Sequence, residues 1–209
     1  MTGRLTLHHW APSRSMTARW MLEEIGEPYD VVLVDIGAGE QLTPAYRSIN
    51  PMGKVPTLVH GDSVVTETAA ICCYLADAFP AAGLAPKLDD PARGPYLKWL
   101  FYMPSCMEPA IVQKAMGWPE GRRSTLGWGS LDDVVATLDL ALDGEAFVVG
   151  DRFTAADVVV GAGIRWGLQF GLLPERESFR RYADKLGERP ALQRQMAADQ
   201  VLMDARTAS

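Results

Sequence analysis

The chain has 209 residues, of which 48% are hydrophobic and 22% are charged, a balance typical of a globular protein with one or two domains. The formal net charge of −6 argues against nucleic acid or an anionic membrane surface as the main partner. The N-terminus has no signal-like apolar core, and no apolar run approaches the ~20 residues that cross a bilayer, so we expect a cytoplasmic protein.

The three cysteines predict packing rather than metal binding. Cys72 and Cys73 are adjacent and Cys106 stands apart, an odd number without C-x-x-C or metal-ligand spacing. We therefore expect reduced thiols and no metal site.

The first third of the chain alternates between strand and helix patterns. Residues 5–8 alternate as a strand does, and apolar residues over 18–25 then follow one helical face that Gly26 ends. Residues 29–34 are apolar and β-branched, which predicts a second strand buried on both faces. A strand, helix and strand in this order predict two parallel strands joined by a right-handed crossover.

A hairpin and a helix complete this part. After a loop with short helical turns, residues 57–60 and 63–65 flank a Gly61-Asp62 turn, which predicts a hairpin. A helical stripe begins at Thr68 and ends at Pro80. The predicted order is β-α-β-α-β-β-α, the order of a small α/β domain.

Beyond a Pro- and Ala-rich stretch, the pattern is helical to the end. Pro104 and Pro109 should kink or split the first of these helices. Another helix is predicted over 131–142, and Thr154 with Asp157 predicts a capping box at the start of a third.

Two serines, Ser13 and Ser15, lie between the first strand and the first helical turn. Unpaired N–H groups and the helix dipole favour an anion at such a turn, so a thiol held there would have a lowered pKa. A serine hydroxyl can donate a hydrogen bond to that sulfur. The alternative is that one serine only caps the helix.

Two further segments have the chemistry of a peptide-binding site. A cis Val55–Pro56 bond before the hairpin would turn the Val55 N–H and C=O outward to pair with an extended peptide; the alternative is an ordinary trans proline. Glu67 and Thr68 lie where a strand ends and a helix begins. The helix N-terminus and hydroxyl suit a carboxylate and Glu67 suits an ammonium group, whereas the alternative is a plain N-cap.

Taken together, these segments resemble a cytosolic glutathione S-transferase of the serine type found in bacteria. The resemblance rests on WAPSRSMTARWMLEEIGEPYD, QLTPAYRSINPMGKVPTL, TETAAICCYLAD and FTAADVVV. It implies an α+β fold, with a thioredoxin-like glutathione-binding domain over residues 1–80, a linker over 81–90 and an all-α domain over 91–209.

The resemblance also implies roles for individual residues. Val55, before a cis-Pro56, would pair with the cysteinyl backbone of glutathione, and Glu67 and Thr68 would hold the γ-glutamyl end. Gln41 and Lys54 fall where the family binds the glycine carboxylate. The strand ends in His9-Trp10 without the family's tyrosine, and no cysteine stands at the turn. Ser13 is therefore the first candidate for activating the thiol and Ser15 the second.

The implied function is transfer of glutathione, as its thiolate, to a small apolar electrophile by a homodimeric enzyme. The pocket for that substrate is predicted from Trp10, Tyr102, Met103, Met107 and Trp166. A non-enzymatic binding module of the same fold stays open as an alternative, as do glutathione-dependent isomerisation, dehalogenation and ether cleavage.

Overall fold

The computed structural model describes residues 3–207, which form one four-stranded sheet and a set of helices. The strands are β1 (Leu5–His9), β2 (Tyr29–Leu33), β3 (Thr57–His60) and β4 (Ser63–Thr66). They lie in the order β2-β1-β3-β4, with β1 parallel to β2 and antiparallel to β3, which pairs with β4 as the predicted hairpin. This confirms the thioredoxin-like order of the N-terminal elements.

The helices of this part are α1 (Ser15–Ile25), α2 (Pro44–Arg47) and α3 (Thr68–Ala78), with a short 3₁₀ turn at Glu40–Leu42. Gly26 ends α1 in the left-handed conformation, with φ +73°. The core lies between the sheet and the two longer helices, where the apolar stripes of both are buried. Its fully buried side chains include Leu5, Leu7, Leu58, Met21, Leu22, Ile71 and Leu75.

One expectation about the sheet was wrong. The second strand was predicted to be buried on both faces, but Val32 and Leu33 are 42% and 48% exposed. Because β2 is the edge strand, it has a neighbouring strand on one flank only. Its β-branched residues reflect strand propensity rather than burial.

The C-terminal part is helical, as expected. Its helices are α4 (Arg93–Tyr102), α5 (Glu108–Ala115), α6 (Leu131–Leu142), α7 (Ala155–Gln169), α8 (Glu177–Gly187) and α9 (Pro190–Thr207). A π-helical segment, Met103–Met107, separates α4 from α5. Pro104 has no N–H to donate to the helical ladder, which explains why the predicted split falls there.

The described residues form two compact units whose limits differ from the predicted domain boundaries. One unit runs to Ala82 and includes the chain from Arg189 onward; the other is Gly83–Glu188. The last helix, α9, thus belongs to the unit that contains the sheet, because it packs against α1. Arg189 forms a bidentate ion pair with Glu24 at 2.7 Å, and Arg194 pairs with Glu23 at 2.8 Å. The linker predicted over residues 81–90 stays a prediction.

Within residues 3–207, every helix is too short or too polar to cross a bilayer.

Candidate functional site

The strand register brings three predicted site segments to one end of the sheet. His8, next to the last residue of β1, pairs with Thr57 at the start of β3, and Thr57 pairs with Thr66 at the end of β4. The serine turn follows β1, Val55-Pro56 precedes β3, and Glu67-Thr68 follows β4. Segments that are more than 50 residues apart in the sequence are therefore neighbours through Thr57.

The two hydroxyls of the serine turn differ in their exposure to solvent. Ser13 is partly exposed, whereas Ser15 is fully buried. The two oxygens are 2.7 Å apart, and Ser13 Oγ also accepts the Ser15 N–H at 3.1 Å. Ser15, the second candidate for contact with a thiol, has no surface with which to make that contact. Ser13 is the serine that a ligand at this turn can reach.

A histidine lies directly beneath the serines. His9 Nδ1 is 2.8 Å from Ser15 Oγ, and His9 Nε2 is 2.9 Å from Asp199 Oδ1 on α9. His9, Ser15 and Asp199 are all completely buried. Sequence reasoning treated His9 as a strand residue and gave no role to Asp199, because nothing local links positions 190 residues apart.

Several groups keep Asp199 ionised. Burial raises the pKa of its carboxyl, but hydrogen bonds from His9 and Gln195 and the nearby charge of Arg19 outweigh burial, so the pKa lies below its usual range. Gln195 donates to Oδ2 at 2.6 Å, and Arg19 donates to Oδ1.

The loop before β3 exposes main-chain groups. The Val55–Pro56 bond is cis, as the resemblance implied, and Ala11–Pro12 is also cis. In the described part of the chain, neither the N–H nor the C=O of Val55 makes a hydrogen bond, whereas the preceding C=O of Lys54 accepts from Tyr46 Oη at 2.6 Å and Asn50 Nδ2 at 2.8 Å. Two hydrogen bonds thus fix the main chain at Lys54, whereas the N–H and C=O of Val55 are available to a ligand.

Glu67 has an unusual backbone. Its φ of +66° and ψ of 120° make it the one described non-glycine residue with positive φ. An L-residue in this region is strained by roughly 1–3 kcal/mol, and such strain tends to occur at functional sites. The next residue, Thr68, begins α3, so its N–H and hydroxyl lie at a helix N-terminus.

A main-chain carbonyl and a guanidinium group lie close to Gly53. A Cβ built at this glycine, which has φ +61°, would lie 2.8 Å from Gln41 O and 3.5 Å from Arg47 Nε. Gln41 donates from Nε2 to Ile36 O at 3.2 Å, and Lys54 follows with an exposed side chain. Gln41 and Lys54 were predicted here, but Arg47 was missed, because only the fold of α2 brings it to this loop.

The predicted second-substrate residues differ in exposure. In the unit with the sheet, Trp10 is partly exposed, and the Arg206 guanidinium lies 4.0 Å from its ring centroid. In the helical unit, Met107 is completely buried against Gly163 and belongs to the core, so its placement in a pocket wall was wrong.

The other three predicted pocket residues have accessible surface. Met103 and Tyr102 are partly exposed; the Tyr102 hydroxyl lies 3.5 Å from Val134 O. Trp166 is 49% exposed and packs against Phe170, with ring centroids 4.7 Å apart.

The chain has three cysteines, Cys72, Cys73 and Cys106. All three are free thiols, and burial raises the pKa of Cys72 far above its usual value. Among residues 3–207, no cluster of three or more His, Cys, Asp or Glu side chains is arranged to hold a metal ion.

The site therefore offers a reachable hydroxyl at a helix N-terminus, an unpaired peptide group and an acid–hydroxyl pair, all at one end of the sheet. The model of the glutathione S-transferase N-terminal domain matches residues 3–77. Glutathione S-transferase GstA from Escherichia coli O157:H7 is 28% identical over 189 residues, which cover 88% of this chain and 94% of that relative. Residues 3–77 thus form a glutathione S-transferase N-terminal domain, and the chain is similar to members of this family along most of its length.

Solved structures agree with that assignment. The theta class glutathione S-transferase of Xanthomonas axonopodis pv. citri, with glutathione bound, is 28% identical to this chain at a TM-score of 0.73, covering 92% of this chain and 97% of the other. The homologue from Sulfitobacter with bound glutathione is 26% identical at a TM-score of 0.73, covering 92% of this chain and 96% of the other. The fold of this chain is thus that of a glutathione transferase along nearly its whole length.

Proposed function

We propose that this protein is an active glutathione transferase that binds glutathione at the end of the sheet formed by the serine turn, Val55 and Glu67-Thr68. The single observation that carries the proposal is the convergence of these three segments around Thr57. Two family structures of similar sequence contain glutathione, which supports the choice of ligand.

Each part of the tripeptide has a chemically matched group. The cysteinyl N–H and C=O pair with the Val55 main chain, as an added strand would. The γ-glutamyl carboxylate accepts from the Thr68 N–H and hydroxyl at the start of α3, and its ammonium group faces Glu67. Gln41 and Lys54 contact the glycine carboxylate, and the Arg47 guanidinium adds positive charge beside them. An acidic chain thus supplies local positive charge where an anion binds.

The thiol is placed at Ser13. A hydrogen bond from the Ser13 hydroxyl, together with the helix N-terminus, stabilises the thiolate relative to the thiol. The thiolate attacks an electrophilic carbon of a small apolar substrate; a thioether forms and the leaving group departs with the bonding electrons. Holding both reactants in one site lowers the entropic part of the barrier.

The proposal extends to assembly and location. A homodimer in the cytoplasm agrees with the family resemblance, and the exposed apolar side chains of Val64 and Phe101 provide surface for such a contact. For the electrophile, the partly exposed ring of Trp10 beside the serine turn provides apolar surface.

The direct test is conjugation of an aryl halide to glutathione by the native protein, compared with Ser13→Ala. A hydrogen bond to a charged group contributes about 1.5–3 kcal/mol, so the variant should lose roughly 10- to 100-fold in kcat/KM. Ser63→Ala, which removes an exposed hydroxyl at the start of β4, is the matched control and should retain native activity.

Two results would contradict the proposal. Absence of both conjugation and binding to immobilised glutathione would favour a binding module without this ligand. A Ser13→Ala variant that binds glutathione and keeps native activity would show that the thiol is not activated at the serine turn.

A further inference from the structure

We propose that His9 is the terminal proton acceptor for the glutathione thiol, reached through Ser15 and Ser13 and held in position by Asp199. This inference rests on the proposed function. It assigns a role to a buried chain of hydrogen bonds that begins at the ligand and ends on the last helix.

The tautomer of His9 is determined by its partner Asp199. An ionised carboxylate only accepts hydrogen bonds, so Asp199 requires a proton on His9 Nε2, 2.9 Å away. A neutral His9 then has a bare Nδ1, which faces Ser15 Oγ at 2.8 Å. Because both groups are buried, that acceptor is satisfied only when the Ser15 hydroxyl donates to it.

The orientation of the two serine protons depends on the protonation of His9. Trp10 O lies 2.6 Å from Ser13 Oγ and 2.8 Å from Ser15 Oγ, so it can accept from either hydroxyl. While Ser15 donates to His9, the Ser13 hydroxyl donates inward, to Trp10 O or Ser15 Oγ. When His9 carries a second proton, Nδ1 donates to Ser15. The Ser15 hydroxyl then turns to Ser13 Oγ or Trp10 O and leaves the Ser13 proton available for a sulfur.

Proton transfer along this chain is balanced. The S–H bond breaks and its proton binds Ser13 Oγ, the former Ser13 proton moves to Ser15 Oγ, and the former Ser15 proton moves to His9 Nδ1. The products are a thiolate that accepts a hydrogen bond from Ser13 and an imidazolium that donates to Ser15. After the thioether forms, the same chain returns the proton to the site, from which it leaves with the departing group or to water.

The charges around His9 suit a reversible acceptor. Asp199 on α9 bonds to His9, and Arg19 on α1 binds the same carboxylate oxygen, so within the described residues these two charges neutralise each other beside the imidazole. Leu33 and Val34, beside His9 on the β2 side, carry no charge. A thiolate formed at Ser13 adds a negative charge at the far end of the hydrogen-bond chain, opposite the proton that His9 accepts.

Because His9 and Asp199 act through the serines, they are positioning residues. The decisive measurement uses nuclear magnetic resonance of the histidine rings in the native protein, which has only three histidines. With saturating glutathione near neutral pH, the His9 ring should change from neutral to imidazolium; with S-methylglutathione, which has no thiol proton, it should stay neutral. A His9 ring that stays neutral in both complexes would overturn the relay.

Variants provide an independent readout. His9→Asn keeps a polar group beside Ser15 but takes up no proton, so kcat/KM should fall about tenfold and its pH profile should shift upward by about one unit, with an unchanged Kd for glutathione. Asp199→Asn should shift the profile in the same direction. His60→Asn is the matched control, because His60 is also a buried strand histidine but bonds to Tyr74 Oη at 2.9 Å, away from the serines.

The outcomes separate the two proposals. Native protein that fails to bind glutathione overturns the proposed function and the relay together. Native protein that binds glutathione and depends on Ser13, while His9→Asn and Asp199→Asn keep the native pH profile, overturns the relay alone.

Discussion

Glu67 combines, in one residue, a proposed binding role with a strained backbone conformation. Its positive φ is a conformation that glycine adopts without strain, yet the position holds an exposed glutamate. The strain is compensated by the surrounding fold, and it aims the carboxylate beside the N-terminus of α3. We therefore expect stability and ligand affinity to change in opposite directions when this residue is replaced.

Glu67→Gly should increase the free energy of unfolding by about 1 kcal/mol, because relief of roughly 1–3 kcal/mol of strain exceeds the entropy cost of glycine. The same variant should bind glutathione roughly 10- to 100-fold more weakly, since a charged hydrogen bond is lost. Urea unfolding and calorimetric titration measure the two effects. Ala70→Gly on the exposed face of α3 is the control and should lower stability by about 1 kcal/mol. A Glu67→Gly variant as destabilised as the control would contradict this account.

Single residues also mark what the sequence could predict about the site. Val55, Pro56, Glu67, Thr68 and the serine turn were predicted as site residues from local signals and a family resemblance, and the fold brings them to one end of the sheet. The choice between two serines was not decided by sequence, because burial distinguishes them. Met107 was misplaced for the same reason, since a methionine pattern does not separate a pocket wall from a core.

At the scale of secondary-structure elements, one buried carboxylate fixes the start of α7. Asp157 accepts from the Thr154 N–H at 2.8 Å, which confirms the predicted capping box. It also accepts from the Val148 N–H at 2.9 Å and from Tyr182 Oη at 2.8 Å, and it is completely buried. One carboxylate thus joins a helix start to a preceding loop and to α8.

Asp157→Ala should lower the free energy of unfolding by roughly 3–5 kcal/mol, because four buried donors, including the Thr154 hydroxyl, would lose their acceptor. Asp157→Asn, which keeps one oxygen, should cost less. The control is Asp132→Ala, an exposed acid in the first turn of α6, which should cost ~0.5 kcal/mol. Denaturant unfolding of the three variants tests this, and equal losses for Asp157→Ala and Asp132→Ala would refute the assigned role.

The sequence predicted which helices and strands are present and in what order. It did not always predict which of them are buried. Periodicity located the hairpin and α6, and the prolines located the break after α4. The edge position of β2 depends on the strand order of the whole sheet, which local hydrophobicity does not report. The same composition would serve a central strand or an edge strand.

At the scale of the whole molecule, the last helix completes the first unit. α9 connects to α1 through ion pairs from Arg189, Arg194 and Asp199, and Arg206 near its end donates to Ala11 O beside the serine turn. Sequence analysis assigned this helix to the C-terminal domain, because chain order is the only guide when contacts are this distant. The support of the serine turn was thus beyond local reasoning.

This long-range contact predicts a dependence of stability on acid. The pKa of Asp199 is lowered in the folded protein, so its stabilising contribution is fully present above the unfolded value of about 3.9 and is lost as pH falls through the lower native pKa. Asp199→Asn should therefore flatten the fall in unfolding free energy at acid pH. Asp62→Asn in the exposed hairpin turn is the control and should keep the native slope. Identical slopes for both variants, measured by urea unfolding, would contradict the contribution of Asp199.

The ionisation of bound glutathione tests the central claim most directly. The ultraviolet absorption of the thiolate, followed as a function of pH with saturating native protein, gives the pKa of the bound thiol. The account predicts a pKa at least about one unit below the value of roughly 8.5 for a free cysteine thiol. A bound thiol that titrates at or above that value would contradict it.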